Sequence, residues 1–505
     1  MSYSNLKIFL PDTIHFHERN FKSLFDFFSR HDLKITKNND INSWSALYGD
    51  YKSKEKELSP YSCKIKTLST KDKLNFTYKG KNIWGIARAE LLSYFLPKIE
   101  YNIFTTKKDD IQQLELMSKV CINTVVNCFS ATMYFIDYWK KKLESIQVHN
   151  YALIFSGSQI YNRTLLETLK HSQTTPVVME HFFTGNEYYF EERYTPIANS
   201  SDLKHLYINN DKNNNDNDRK RIKAINKVLL SKNRNVKKTG NFLHLDFTEG
   251  KTVALIGQVV NDFSIIETAN EYLNPIYFYK DFIEKSIKSG LNVVFKAHPW
   301  EHKKNNVKNS FTKNMILAWA QEELTKEERN KLVITEDSDI SSLFLQADYV
   351  AGLCSQGLLE SVFHGFKPLQ FGNAFFGGYG FTNDYNNIDS FIKDVKEKNV
   401  EGTLNLSEYI KYEDFMVTSL EGELVSIHKS GILSLESKLR QYPLIPLVEN
   451  KKPIISKKIH NELEEMTIEK VEEISRTMKK LKKLKKQPKT FFKDSKYSIL
   501  RKLTR

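Results

Sequence analysis

The sequence predicts an α/β chain built from two Rossmann-like halves, and three observations lead there. A chain of 505 residues with 40% hydrophobic and 12% aromatic content can bury more than one core, since a single core rarely grows past about 250–300 residues. Short apolar runs alternate with longer helix-period segments, the pattern of strand-helix units. Polar residues and glycines follow directly on several of the apolar runs, and the carboxyl ends of parallel strands are where such sheets bind ligands.

In the first half, residues 1–245, the runs Leu6–Leu10, Tyr151–Phe155 and Val177–Met179 read as strands and Ile111–Leu143 as a helix. Residues 208–218, INNDKNNNDND, are poor in apolar side chains and rich in turn formers. A solvated loop is expected there, with a boundary between the halves within 200–245. In the second half, residues 246–455, strands are expected at Thr252–Ile256, Leu291–Lys296, Leu332–Thr335, Tyr349–Gly352 and Pro368–Phe371. Helices are expected at Tyr277–Ser289, Ser341–Gln346 and Gly357–Phe363, completing a doubly wound parallel sheet.

Residues 456–505 are expected to form a basic helical tail. The formal charge of the chain is +14, and from Arg476 to Arg505 there are 13 Lys or Arg against the single acid Asp494. The body is therefore close to neutral, which argues against a nucleic-acid-binding surface. Between Asn461 and Lys486, Val471, Ile474, Met478 and Leu481 recur at spacings of three and four, and Phe491 and Phe492 follow Pro488. A basic amphipathic helix with nearby aromatics is expected to lie on an anionic membrane surface, with a solvated tail or a partner helix as the alternative. The N-terminal MSYSNLKIFLPD lacks a basic segment leading into a long apolar core, and no run of about 20 apolar residues occurs. A soluble or peripheral protein is expected. The four cysteines, Cys63, Cys121, Cys128 and Cys354, have neither C-x-x-C spacing nor a Cys/His cluster. Neither a disulfide framework nor a zinc site is expected, and a reducing compartment fits.

Three segments of the second half carry chemistry. After the first of its strands comes Gly257-Gln258-Val-Val-Asn-Asp262: a glycine admits a close backbone approach, and the carboxylate falls at the mouth of the sheet, where it is equally placed to cap a helix. The next strand ends in Ala-His298-Pro299. Pro299 biases His298 away from helix, leaving an imidazole at the sheet edge, suited to a phosphate or a leaving group. The third segment, Ser355-Gln356-Gly357-Leu-Leu-Glu360, opens a helix; its backbone N–H groups and the Ser355 hydroxyl suit a nucleotide phosphate, with Glu360 one turn on for ribose hydroxyls. In the first half, Glu180 ends the apolar run from Pro176 and would face Asp262 and His298 across a cleft.

In this order the stretches MEHFF (179–183), GQVVNDFSI (257–265), AHP (297–299), SQGLLESVFHGFKP (355–368) and NAFFGGYGFTND (373–384) resemble the bacterial capsule polysaccharide biosynthesis proteins that include the retaining β-Kdo transferases. The resemblance implies a GT-B-like fold and transfer of Kdo from CMP-Kdo, without a metal or other cofactor, to a lipid-linked or oligosaccharide acceptor. It implies Asp262 as nucleophile, Glu180 as base for the acceptor, and His298 as stabiliser of the departing phosphate. Gly257, Gln258, Pro299, Ser355, Gln356, Gly357 and Glu360 would surround the nucleotide sugar. His181 replaces the usual Gly after the glutamate, and Tyr379 the usual Trp, which leaves open a transferase using another donor such as CMP-sialic acid. A non-catalytic capsule assembly or export scaffold is the third reading. The expected location is the cytoplasmic face of the inner membrane, with other capsule assembly proteins as further partners.

Overall fold

The computed structural model describes residues 3, 5–98, 109–205, 215–231, 241–268, 272–304, 306–307 and 309–439. The chain divides into two compact units, Met1–Tyr442 and Pro443–Arg505, and all the described residues belong to the first. The expected tail of residues 456–505 lies outside them.

Seven strands come from the first half: β1 (Lys7–Leu10), β2 (Lys34–Lys37), the hairpin of β3 (Thr77–Tyr78) and β4 (Lys81–Asn82), β5 (Tyr151–Phe155), β6 (Thr175–His181) and β7 (Glu187–Glu192). Strands β8 (Thr252–Ile256), β9 (Asn292–Lys296), β10 (Leu332–Thr335), β11 (Tyr349–Gly352), β12 (Leu369–Gln370) and β13 (Asn383–Asp384) follow, and β14 (Val425–Ser426) comes last. Apart from the β3–β4 hairpin, which stands as a two-stranded sheet, they form two six-stranded sheets, of order β14-β7-β6-β5-β1-β2 and β10-β9-β8-β11-β12-β13. The second is parallel throughout. The first is parallel from β2 to β6, with β7 and β14 added antiparallel.

Strand alternation shows why the first sheet is covered on both faces. Tyr151 and Leu153 of β5 join one hydrophobic cluster with Phe21, Leu24 and Phe27, while Ala152 and Ile154 join the other with Phe129, Phe135 and Trp139. Period-two alternation sends neighbours to opposite faces, and each fully buried large apolar side chain contributes about 1.5–3 kcal/mol by leaving water. Phe129, Phe135 and Trp139 belong to the 36-residue helix Asp110–Ser145, which bends at Cys121 (φ −153°). Among the described residues it is the one helix long and apolar enough to cross a bilayer, and 56% of its apolar window is buried inside the protein.

Two boundaries differ from the sequence reading. Asn215–Asp218, expected to be loop, open the helix Asn215–Leu229; carboxylates and amides suit the N-terminal turn, and Arg221 of this helix pairs with Asp414 at 2.6 Å. Residues 425–438, expected with the second half, return to the first sheet. Strand β14 pairs with β7, and the helix Ser430–Lys438 packs on Lys22–Arg30, where Glu436 meets His31 at 2.8 Å. Strand β7 offers β14 its outer hydrogen-bonding edge, while Ile432, Leu435 and Leu439 complete an apolar face beside Phe27.

Candidate active site

The carboxyl ends of the two sheets carry the polar residues singled out above. On the first sheet, β6 ends with Glu180, whose Oε1 accepts from the His181 N–H at 3.1 Å. Burial pushes its carboxyl up to about 7; bonds from His181 and Ser156 and the charge of His15 oppose the rise, and the charge of Asp262 adds to it. Glu180 and Asp262, one from each sheet, are thus close enough to feel each other.

Asp262 lies in the loop after β8. Its Oδ1 accepts from the Ser264 N–H at 2.9 Å and the Ser264 hydroxyl at 2.7 Å, so this oxygen does cap the helix Phe263–Thr268. Oδ2 has one hydrogen-bond contact among the described residues, the Gln258 amide at 3.4 Å. The capping and chemical readings of Asp262 therefore fall on different oxygens.

His298 is placed by Pro299 as expected. The Trp300 N–H donates to its Nδ1 at 3.2 Å, which puts the proton of a neutral ring on Nε2. Burial holds the imidazole down at about 4, with the charges of Lys296 and Lys304 acting the same way and Asp262 opposing. At neutral pH it is an uncharged N–H donor. Lys304 stands near both His298 and Asp262. Its ammonium donates to Asn261 Oδ1 at 2.8 Å; burial lowers its pKa against the pull of Asp262 and Glu301. Sequence reasoning missed Lys304, and the available signal was its position six residues after His298 in a segment that otherwise reads as solvated charge.

Gly257 and Gln258 serve the frame. A Cβ on Gly257 would stand 2.9 Å from the Lys296 carbonyl and 3.1 Å from the Phe295 ring, so packing against β9 requires the glycine. Gln258 is buried; its Oε1 accepts from Cys354 N–H at 2.9 Å and its amide reaches Ser264 at 3.3 Å, tying the loops after β8 and β11 together. Burial, with Asp262 nearby, pushes the Cys354 thiol up to about 12, which removes it as a nucleophile. Glu301 is fully buried, accepting from Val260 N–H at 2.7 Å and from the Thr312 N–H at 2.8 Å and hydroxyl at 2.7 Å, and so braces the Asp262 loop.

After β11, the Ser355 hydroxyl accepts from the Gly357 N–H at 3.2 Å at the start of the seven-residue helix Gly357–Phe363. Gln356 and Glu360 are partly buried beside it. Lys296, at the end of β9, donates to the Glu336 carbonyl at 2.8 Å and feels the charges of Asp337, Glu336, Asp339 and Glu360. The glycine-rich loop 375–381 packs across the seam between the halves. Asn199 Oδ1 accepts from Phe375 N–H at 3.0 Å, its Nδ2 donates to the Asn373 backbone carbonyl at 3.0 Å, and the Tyr379 hydroxyl donates to the Leu203 backbone carbonyl at 2.8 Å.

Residues 177–415, a little under half of the chain, match the family model described as capsule polysaccharide biosynthesis protein. That span holds Glu180, Asp262, His298, Lys304, Ser355 and Glu360. Among solved structures, the chain is similar to Thermosulfurimonas dismutans KpsC, beta Kdo 2,4 transferase, at 15% identity and a TM-score of 0.37 over 52% of this chain and 79% of that one. The beta Kdo 2,7 transferase of the same KpsC matches at 14% identity and 0.35, over 60% and 89%. The N-terminal domain of Candida albicans trehalose-6-phosphate phosphatase matches at 8% identity and 0.33, over 86% and 96%. No curated protein sequence matches the chain.

Proposed function

We propose that the chain is a GT-B-like glycosyltransferase of capsular or surface polysaccharide synthesis, which moves Kdo from CMP-Kdo to a lipid-linked or glycan acceptor with retention. The observation that carries the reading is the approach of two carboxylates, Glu180 and Asp262, from the carboxyl ends of separate sheets, with His298 and Lys304 around Asp262. Asp262 Oδ2 attacks the anomeric carbon, the bond to CMP breaks, and its electron pair leaves on the phosphate. The Lys304 charge and the His298 Nε2–H neutralise that phosphate. The acceptor oxygen then attacks the glycosyl ester, its proton passes to Glu180, and Asp262 is released as carboxylate. Two inversions give retention. Pro299, Ser355, Gln356, Gly357 and Glu360 line the nucleotide side, and the reading takes no metal. The basic tail of residues 456–505 holds the enzyme to the anionic inner-membrane surface, on the cytoplasmic side, within reach of other capsule assembly proteins.

The test is CMP release from CMP-Kdo by wild type and by Asp262→Asn, with intact-protein mass spectrometry for a sugar adduct. Wild-type release should fall roughly 10³-fold or more in the variant, the scale expected when a covalent nucleophile is lost, and an adduct should map to Asp262. Turnover of CMP-sialic acid alone would keep the chemistry and change the sugar. No turnover of any nucleotide sugar by folded protein, with capsule unaffected by Asp262→Ala, would leave an assembly scaffold.

A further inference from the structure

The carboxyl end of β1 carries a pair of side chains that the reaction above does not use. Asp12 is fully buried, and its Oδ2 binds Nδ1 of His15 and accepts from the Tyr161 hydroxyl at 2.9 Å. Its Oδ1 accepts from the Ile14 N–H at 2.7 Å. A carboxylate on Nδ1 makes that nitrogen the donor and leaves Nε2 with a bare lone pair. The His15 ring lies flat on Phe155, at 4.5 Å and 4° between planes, so its direction is held from two sides. Its side chain is 20% exposed, and Nε2 has no hydrogen-bond partner among the described residues. Phe155 ends β5, and the His181 ring is tilted against it at 5.7 Å. His15 lies near Glu180. Tyr48 and Tyr161 both feel the charge of Asp12, and Glu180 feels that of Asp262.

A fixed imidazole with an acceptor-only nitrogen at a sheet mouth recognises an O–H donor. Phe155, stacked on it, fixes the plane of the ring. We propose that the Asp12–His15 pair and Phe155 form the acceptor subsite, in which His15 Nε2 accepts a hydrogen bond from a hydroxyl of the acceptor sugar and Asp12 fixes the ring's tautomer. His15 orients the acceptor while Glu180 takes the proton of the attacking hydroxyl. The proposal rests on the reading of Glu180 as the acceptor-side carboxylate, and it adds a binding role that residues 177–415 alone do not contain.

The experiment uses the full chain, CMP-Kdo, and oligosaccharide fragments of the organism's own capsule as acceptor. His15→Phe keeps the stack on Phe155 and removes Nε2. It should leave CMP release in water within about twofold of wild type and raise the acceptor concentration for half-maximal transfer about tenfold or more, the scale of one lost hydrogen bond. Asp12→Asn, which frees the tautomer, should shift the same parameter in the same direction. An unchanged acceptor dependence in His15→Phe overturns the proposal. If wild type turns over no CMP-sugar, the reaction scheme fails, and the subsite is decided separately by ¹⁵N NMR of histidine-labelled wild type. Nδ1–H on His15 and a shift of Nε2 on adding the oligosaccharide support it; Nε2–H, or no shift, overturns it.

Discussion

Glu180 shows how one residue's surroundings set its chemistry. A carboxyl held near 7 instead of the usual 4.5 is half ionised at neutral pH, which is the range in which a general base works best. Acceptor-dependent transfer should rise through an apparent pKa of about 7, and Glu180→Gln should abolish that limb while sparing CMP release. The stability sign follows from the same shift. The folded state holds the proton more tightly, so the stabilisation is fully present below the usual carboxylate pKa and is lost as pH rises through about 7, on the order of 1–3 kcal/mol. Urea melts of wild type should weaken from pH 5 to pH 8, and those of Glu180→Gln should change less. The residue type and its position at a strand end were legible in the sequence. The raised pKa was not, because it comes from burial and from Asp262, 82 positions further along.

At the scale of elements, most strands and helices of the second half fall where their apolar runs end, because period and breaker residues act within a few positions. The loops between them are another matter. Glu301 lies in a helical turn three residues after His298, and its sequence setting, WEHKK, reads as exposed charge. Folded, it satisfies two backbone N–H groups and a hydroxyl that would otherwise be buried and unpaired. Glu301→Ala should cost about 2–4 kcal/mol, since unsatisfied buried donors are expensive. A lower urea midpoint with unchanged slope would register it, and CMP release should fall as the Asp262 loop loosens. The same holds for Asn261, which bonds the Ser93 carbonyl at 2.9 Å on one side and Lys304 on the other and carries no motif of its own.

Over the whole molecule, the two sheets are joined by contacts clustered around the helix Phe263–Thr268. Arg163 pairs with Glu267 at 2.5 Å, Arg88 donates to the Ile266 carbonyl at 3.3 Å, and Asn199 reaches Thr268 at 3.3 Å. Asp262 begins that helix, so the seam between the halves and the proposed nucleophile are one construction. The basic tail belongs to the same scale. Deleting residues 456–505 should abolish binding to vesicles containing anionic phospholipid and leave CMP release intact. Wild-type binding should weaken as salt rises, because the attraction is screened within about 8–10 Å. Salt-insensitive binding in a flotation assay would indicate a protein partner instead.

By itself the sequence determined the α/β class, the strand ends, and the placement of Glu180, Asp262 and His298 on them, since hydrophobic period and turn chemistry are local properties. Tertiary structure alone decided which of those ends meet. It brought Lys304 and Glu301 to the Asp262 loop, tied Asn261 to Ser93, put His15 near Glu180, and returned residues 425–438 to the first sheet. Those outcomes depend on packing between segments far apart in the chain, where burial, charge and unpaired backbone groups set the energies and no local pattern records them.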